Sequence, residues 1–218
     1  VNKDFTQRID GKSKQKFIAG TMFSNFAKSI AANAKVHRGL ELTADNVETC
    51  LLEAGLIFGG RAFDKYHIYE HDESVVKRIH AIKNSMDPKV KNTLAKKIYI
   101  NLGNNDILAH GMKSANTKDV TYFGLDFCSY LSFPHLADVY NLICKNAAQQ
   151  SIVMLTSSVR PFGEETVIAH MDMLKEELKR SGFEITQYYG PKSYFVTSAM
   201  YFLALALTRV PKNKNEQV

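Results

Sequence analysis

Residues 120–131 read Val-Thr-Tyr-Phe-Gly-Leu-Asp-Phe-Cys-Ser-Tyr-Leu, an apolar run broken by one carboxylate, Asp126. An ionised aspartate is costly to bury, so the acid marks where a core strand emerges at an edge or a site. In an α/β protein that place is the carboxyl end of a parallel strand, where ligands bind. Similar runs lie on either side. Residues 97–102 read as a strand running into a Gly-Asn-Asn-Asp segment, and residues 151–156 as another, with a helix over 133–148 between the second and the third run. Residues 66–70 form a β-rich segment closing on Glu70, and residues 73–84 carry helical spacing through Val75, Val76, Ile79 and Ile82. Residues 164–181 form a charged amphipathic helix, and 183–189 and 199–208 a last pair of strands. Continuous apolar strands alternating with helices argue a parallel sheet covered on both faces, with an antiparallel closing edge.

Upstream, the spacing is helical over 14–34, with Phe17, Ile18, Met22, Phe23, Phe26, Ile30 and Ala31 on one face and Lys16, Lys28 and Asn33 elsewhere. Residues 40–47 read as a second helix start with Thr43 as N-cap. Residues 49–53 then read as a short strand ending in Glu53, followed by a glycine-bearing turn through Gly55. This divides the chain into a basic helical extension (1–46), an α/β domain (47–210) and a flexible tail (211–218).

The chain has 218 residues, 45% of them hydrophobic and 23% charged, ordinary values for a soluble domain of this size. Its 28 Lys and Arg outnumber 22 Asp and Glu, giving +6, which favours a polyanionic partner such as nucleic acid. Part of the excess lies in residues 1–17 (Lys3, Arg8, Lys12, Lys14, Lys16) and near the end of the sequence (Arg209, Lys212, Lys214). The 3 cysteines are far apart and show no CxxC spacing, so they indicate neither a disulfide framework nor a zinc ribbon. The reading is therefore a cytoplasmic, intracellular protein with neither signal peptide nor membrane span. His67 and His71 straddle a strand end and lack a third ligand, so no metal is expected.

The order of acids and turns resembles that of the class I S-adenosylmethionine-dependent methyltransferases. The matching positions are Glu53 with Gly55 after the first strand, Glu70 after the second, Asp106 after the third and Asp126 after the fourth, each a βα unit apart. The resemblance implies a Rossmann-like fold: a mostly parallel seven-stranded sheet with helices on both faces and an antiparallel C-terminal strand. It implies S-adenosylmethionine as cofactor. Gly55 would let the backbone approach its methionine part and Glu53 would lie near its amino group. Glu70 would take the ribose hydroxyls, and Asp106 with Ile107 the adenine. Asp126 would be catalytic, orienting an amine in line with the transferred methyl group.

The segment after Asp126 lacks the prolines of the amino-methylating DNA enzymes, which leaves the acceptor atom open. Cys128 offers a thiolate for base activation, against the commoner role of a buried core cysteine. Arg160, after the fifth strand, is placed to meet a phosphate of a nucleic-acid substrate. Tyr188, Tyr189 and Tyr194 could stack a base. A non-catalytic methyltransferase-like subunit that binds nucleic acid or a partner protein is the alternative. A nicotinamide enzyme is disfavoured, since Glu53-Ala54-Gly55 lacks the GxGxxG fingerprint.

Overall fold

A computed structural model describes residues 11–42, 46–70, 72–88, 94–102, 118–127, 130–195 and 199–211. The elements are α1 (Gly11–Met22), α2 (Ser24–Asn33), β1 (Arg38–Leu42), α3 (Val47–Ile57), β2 (Lys65–Glu70), α4 (Glu73–Ser85), β3 (Ile98–Leu102), β4 (Val120–Asp126), α5 (Phe133–Asn146), β5 (Ala147–Ser158), α6 (Glu164–Arg180), β6 (Phe183–Phe195) and β7 (Ala199–Arg209). The strands form one 7-stranded sheet in the order β3-β2-β1-β4-β5-β7-β6. β1 to β5 pair in parallel, while β7 inserts antiparallel between β5 and β6. Helices cover both faces. This is a Rossmann-like, doubly wound arrangement, a mostly parallel sheet with an antiparallel strand near its C-terminal edge.

Period-two alternation in the strands separates two cores. Tyr66, Ile68, Tyr122, Ile152, Met154, Phe202 and Ala204 face α1 to α4, where Phe23, Ala27, Ile30, Leu51, Ala54 and Ile79 meet them. Leu40, Phe123, Leu125, Val153, Leu155 and Leu203 face the other way, onto Leu136, Val139 and Ile143 of α5 and Met171, Leu174 and Leu178 of α6. Both faces of β4 and β5 are thus buried, which is why those strands read as unbroken apolar runs. The helix starts are set locally. Asp72 caps α4 by accepting from the Ser74 and Val75 amides at 2.7 and 3.2 Å, and Glu164 and Glu165 favour the start of α6 through the helix dipole.

The sheet begins earlier than the sequence pattern indicates. Its first strand is Arg38–Leu42, in the interior of the sheet between β2 and β4, and it falls inside the stretch 1–46 assigned to a helical extension. Residues 49–53 belong instead to α3, whose buried positions Val47, Cys50, Leu51, Ala54 and Ile57 follow helical spacing. β1 escapes a pattern reading because Gly39 and Glu41 occupy the face where large apolar residues would stand. The Tyr66 ring crosses over Gly39, so that a Cβ there would collide with it. Residues 14–34 form two helices with Phe23 at the junction, and their packing differs from the expected face. Lys16 is 3% exposed, while Phe17 and Met22 are 69% and 50% exposed. Charge pairing at the sheet, described below, turns the helix against its hydrophobic pattern.

His37 closes the amino end of the first core, stacked on Phe63 at 4.1 Å and edge-on to Phe58 at 4.6 Å. Its Nδ1 lies 2.7 Å from the Thr121 hydroxyl. Burial, reinforced by the Arg61 charge, lowers its pKa from 6.5 to about 4. The unfolded chain therefore binds a proton that the folded chain refuses between those values, and stability rises with pH across that window. Stability is expected to be complete above about pH 6.5 and to fall by about 1.4 kcal/mol per unit as pH drops toward 4. Urea titrations at stepped pH would check this, and a His37→Phe variant should flatten the slope.

Candidate active site

In an open α/β sheet the ligand crevice lies beyond the carboxyl ends of the strands where the strand order reverses. Here the reversal falls between β1 and β4. Glu41 of β1 and Asp126 of β4 flank it on the α1 side of the sheet, and Glu70 ends the neighbouring β2. Three adjacent parallel strands thus each present a carboxylate at or next to their carboxyl ends.

Glu41 is fully buried and fully engaged. Gly124, its register partner on β4, leaves the space it occupies, for a Cβ there would stand 2.8 Å from the carboxylate carbon. Tyr66 donates its hydroxyl to one carboxylate oxygen, and Lys16 Nζ donates to the other at 2.8 Å. Burial opposes the Lys16 charge, but Glu41 beside it carries the pKa well above the ordinary lysine value. Burial with the adjacent Glu41 charge also raises the Tyr66 phenol well above its usual value, so it stays a proton donor.

Asp126 is held in the same way. Thr156, its register partner on β5, donates its hydroxyl to Oδ1 at 2.5 Å, and Lys12 forms an ion pair with Oδ2. Burial acts to raise the Asp126 pKa, yet Lys12 and the Thr156 hydrogen bond hold it below the usual carboxylate value. For Lys12, burial favours the neutral amine, and Asp126 outweighs it to raise the pKa. Lys12 and Lys16 stand one helical turn apart on α1, a spacing that repels like charges unless acids compensate them. Glu53 of α3 supplies a third acid, accepting from Ser13 Oγ at 2.5 Å and lying 3.5 Å from Lys16. The first turns of α1 are thereby clamped across the reversal point of the sheet.

The residues singled out from sequence divide accordingly. Asp126 ends β4 and joins this network, whereas Glu53 joins it from a helix, behind α1, and not from a strand end. Gly55 lies inside α3 against Leu94, where a Cβ would stand 2.5 Å from Leu94 Cδ2; it allows helix packing rather than forming a loop. Glu70 ends β2, partly exposed, and accepts from the Asp72 amide at 3.0 Å. Asp106, Ile107, Cys128 and His71 lie outside the described residues. Arg160 is exposed in the turn after β5, its amide donating to Ser158 Oγ at 3.2 Å. His67 is buried against Tyr99 at 4.9 Å. Tyr188 lies under the Lys175 ammonium, and Tyr189 donates to Gln15 at 2.5 Å. Among the described residues no group of His, Cys, Asp or Glu could hold a metal ion, and no helix is long and apolar enough to cross a membrane.

Pattern reading missed Lys12, Lys16, Glu41 and Thr156. A signal existed for Glu41: a glycine within a strand marks close approach by another group, and Gly39 and Gly124 bracket the place where Tyr66 and Glu41 cross the sheet.

No protein-family model matches this chain, and no curated protein matches it in sequence. Solved structures of similar shape include Methanococcus jannaschii TYW2 in complex with AdoMet, 10% identical over 88% of this chain and 77% of that one, with a TM-score of 0.49. The fibrillarin pre-rRNA processing protein of Methanococcus jannaschii is 12% identical over 81% and 68%, with a TM-score of 0.48. The glycopeptide N-methyltransferase MtfA is 12% identical over 94% and 99%, also with a TM-score of 0.48. The fold assignment itself stands on the strand order and direction of this chain.

Proposed function

We propose that this protein is an S-adenosylmethionine-dependent methyltransferase acting on a hydroxyl group of a nucleic acid. The observation that carries the reading is the Lys12–Asp126 ion pair at the end of β4, beside the reversal point. An amine substrate would have to compete for Asp126 with Lys12 and Thr156, which already engage one oxygen each. An ammonium at this point instead stabilises negative charge developing on an attacking oxygen. The expectation that Asp126 orients an amine gives way, in this reading, to Asp126 as the group that fixes Lys12. Arg160 on the same edge and the net charge of +6 support a polyanionic substrate. A hydroxyl acceptor along a nucleic-acid chain is the ribose 2′-OH, which RNA has and DNA lacks.

The donor set suits the cofactor at its ribose end, where Glu70 can accept both hydroxyls at the end of β2. When bound, S-adenosylmethionine supplies an electrophilic methyl group. Asp126 and Thr156 keep the Lys12 ammonium pointed at the acceptor oxygen, burial strengthens its field, and the hydroxyl proton leaves to solvent as the oxygen attacks.

One observation favours the alternative of a non-catalytic, methyltransferase-like subunit. The segment after β1, Thr43-Ala44-Asp45-Asn46, contains no glycine to let the backbone approach the cofactor. Calorimetry with S-adenosylmethionine and its demethylated product separates the two. The methyltransferase reading expects binding, and Glu70→Ala should weaken it about 10²- to 10⁴-fold through two lost charge-assisted hydrogen bonds. Absence of binding by the unsubstituted chain would transfer the assignment to the non-catalytic reading.

A further inference from the structure

Beyond the reversal point, the chain leaving β4 and the turn leaving β5 bring four rings together. Tyr130 lies 4.6 Å from Phe162, tilted by 45°, and 5.9 Å from His170 of α6; Phe133, at the start of α5, lies 6.3 Å from His170. Phe162 and Phe133 are 61% and 60% exposed. Scattered exposed phenylalanines need no explanation, but two flanking a half-buried Tyr–His pair at a catalytic edge form a surface. The surface is rigidly seated. The Tyr130 hydroxyl lies 3.3 Å from His170 Nδ1, which lies 3.2 Å from the Leu131 carbonyl oxygen. The Leu131 amide donates to Ser157 Oγ of β5 at 3.0 Å. Nothing in that arrangement uses the outer faces of Phe162 and Phe133.

We infer that this cluster is a stacking platform for an unpaired nucleobase of the substrate, with Phe162 and Phe133 as its contact rings. This deepens the reading above by naming how the substrate strand is held. The local charge selects the part of the strand that lands there. Glu164 and Glu165, exposed in the first turn of α6 beside Phe162, repel a phosphate, whereas an uncharged base is tolerated; Arg160, two residues before Phe162, is available to the backbone next to it. Stacking on an aromatic ring is indifferent to base identity, because every base has a π-face.

The test is equilibrium binding of the full chain, without methyl donor, to a short labelled oligouridylate and to an abasic phosphodiester of the same length, read by fluorescence anisotropy. Phe162→Ala and Phe133→Ala should each weaken oligouridylate binding on the order of tenfold, while Phe162→Trp retains it. The abasic strand should bind more weakly and respond to none of the three. Both rings are exposed, so thermal unfolding of the variants should match the parent chain. Oligouridylate affinity untouched by both alanine substitutions would overturn the inference and leave the rings to an apolar peptide partner; an equal loss on the abasic strand would overturn it as well. Donor calorimetry on the same variants keeps the two readings apart: failure to bind S-adenosylmethionine strikes the methyltransferase assignment, whereas failure of base-dependent binding strikes only the platform.

Discussion

Lys12→Ala is expected to lower the rate of methyl transfer to RNA by about 10²- to 10³-fold while leaving donor affinity within a few fold. The size follows from the place of the charge. The ammonium is mostly buried and held by Asp126, so under the proposed reading it would meet a developing oxyanion without first having to reorient and with little water between them. The change would be measured by incubating the chain with RNA and labelled donor, digesting to nucleosides and quantifying 2′-O-methyl product. Lys12→Arg keeps the charge with a different geometry and should retain more activity than alanine. Asp126→Asn should fall with Lys12→Ala rather than add to it, because the two act as one unit. If Lys12→Ala methylates RNA as fast as the parent chain, or if the product is a base-methylated nucleoside, the hydroxyl reading is wrong.

The second large effect is on stability. Lys16→Met should destabilise the fold by about 3–5 kcal/mol, since it removes the cation paired with a carboxyl group that is inaccessible to water and leaves Glu41 with the Tyr66 hydrogen bond. Removing both charges together, Lys16→Met with Glu41→Gln, should recover most of that loss, because the Tyr66 hydroxyl can still donate to the amide oxygen and no charge remains buried. Urea unfolding of the three chains reads the difference directly. A loss below about 1 kcal/mol for Lys16→Met would place the pair among weak surface ion pairs and remove the clamp of α1 from the account of the fold. The clamp also explains the orientation of α1, since exposing Phe17 costs less than leaving Glu41 unpaired.

Most of the sheet was legible from periodicity. β2, β3, β4, β5, β6 and β7 each carry a run of apolar or alternating residues long enough to be read alone, and α4, α5 and α6 repeat at helical spacing. Asp126 and Glu70 were legible as acids at strand ends for the same local reason. β1 was not, because two of its five residues are shaped by partners elsewhere: Gly39 by the Tyr66 ring and Glu41 by Lys16. Residues 49–53 looked like the missing strand since a short apolar run fits either element, and only the buried positions before and after it reveal the helical turn of α3.

The candidate site was therefore half visible. Periodicity is a property of neighbours in the chain, and it places a carboxylate at the end of a strand without saying what neutralises it. Lys12 meets Asp126 across 114 residues of sequence and Lys16 meets Glu41 across 25. A lysine on an amphipathic helix reads as solvated until burial of the helix leaves its charge no solvent but a carboxylate. That pairing, set by desolvation in the assembled molecule, is what joins the acid-ended strands to α1 at the reversal point of the sheet.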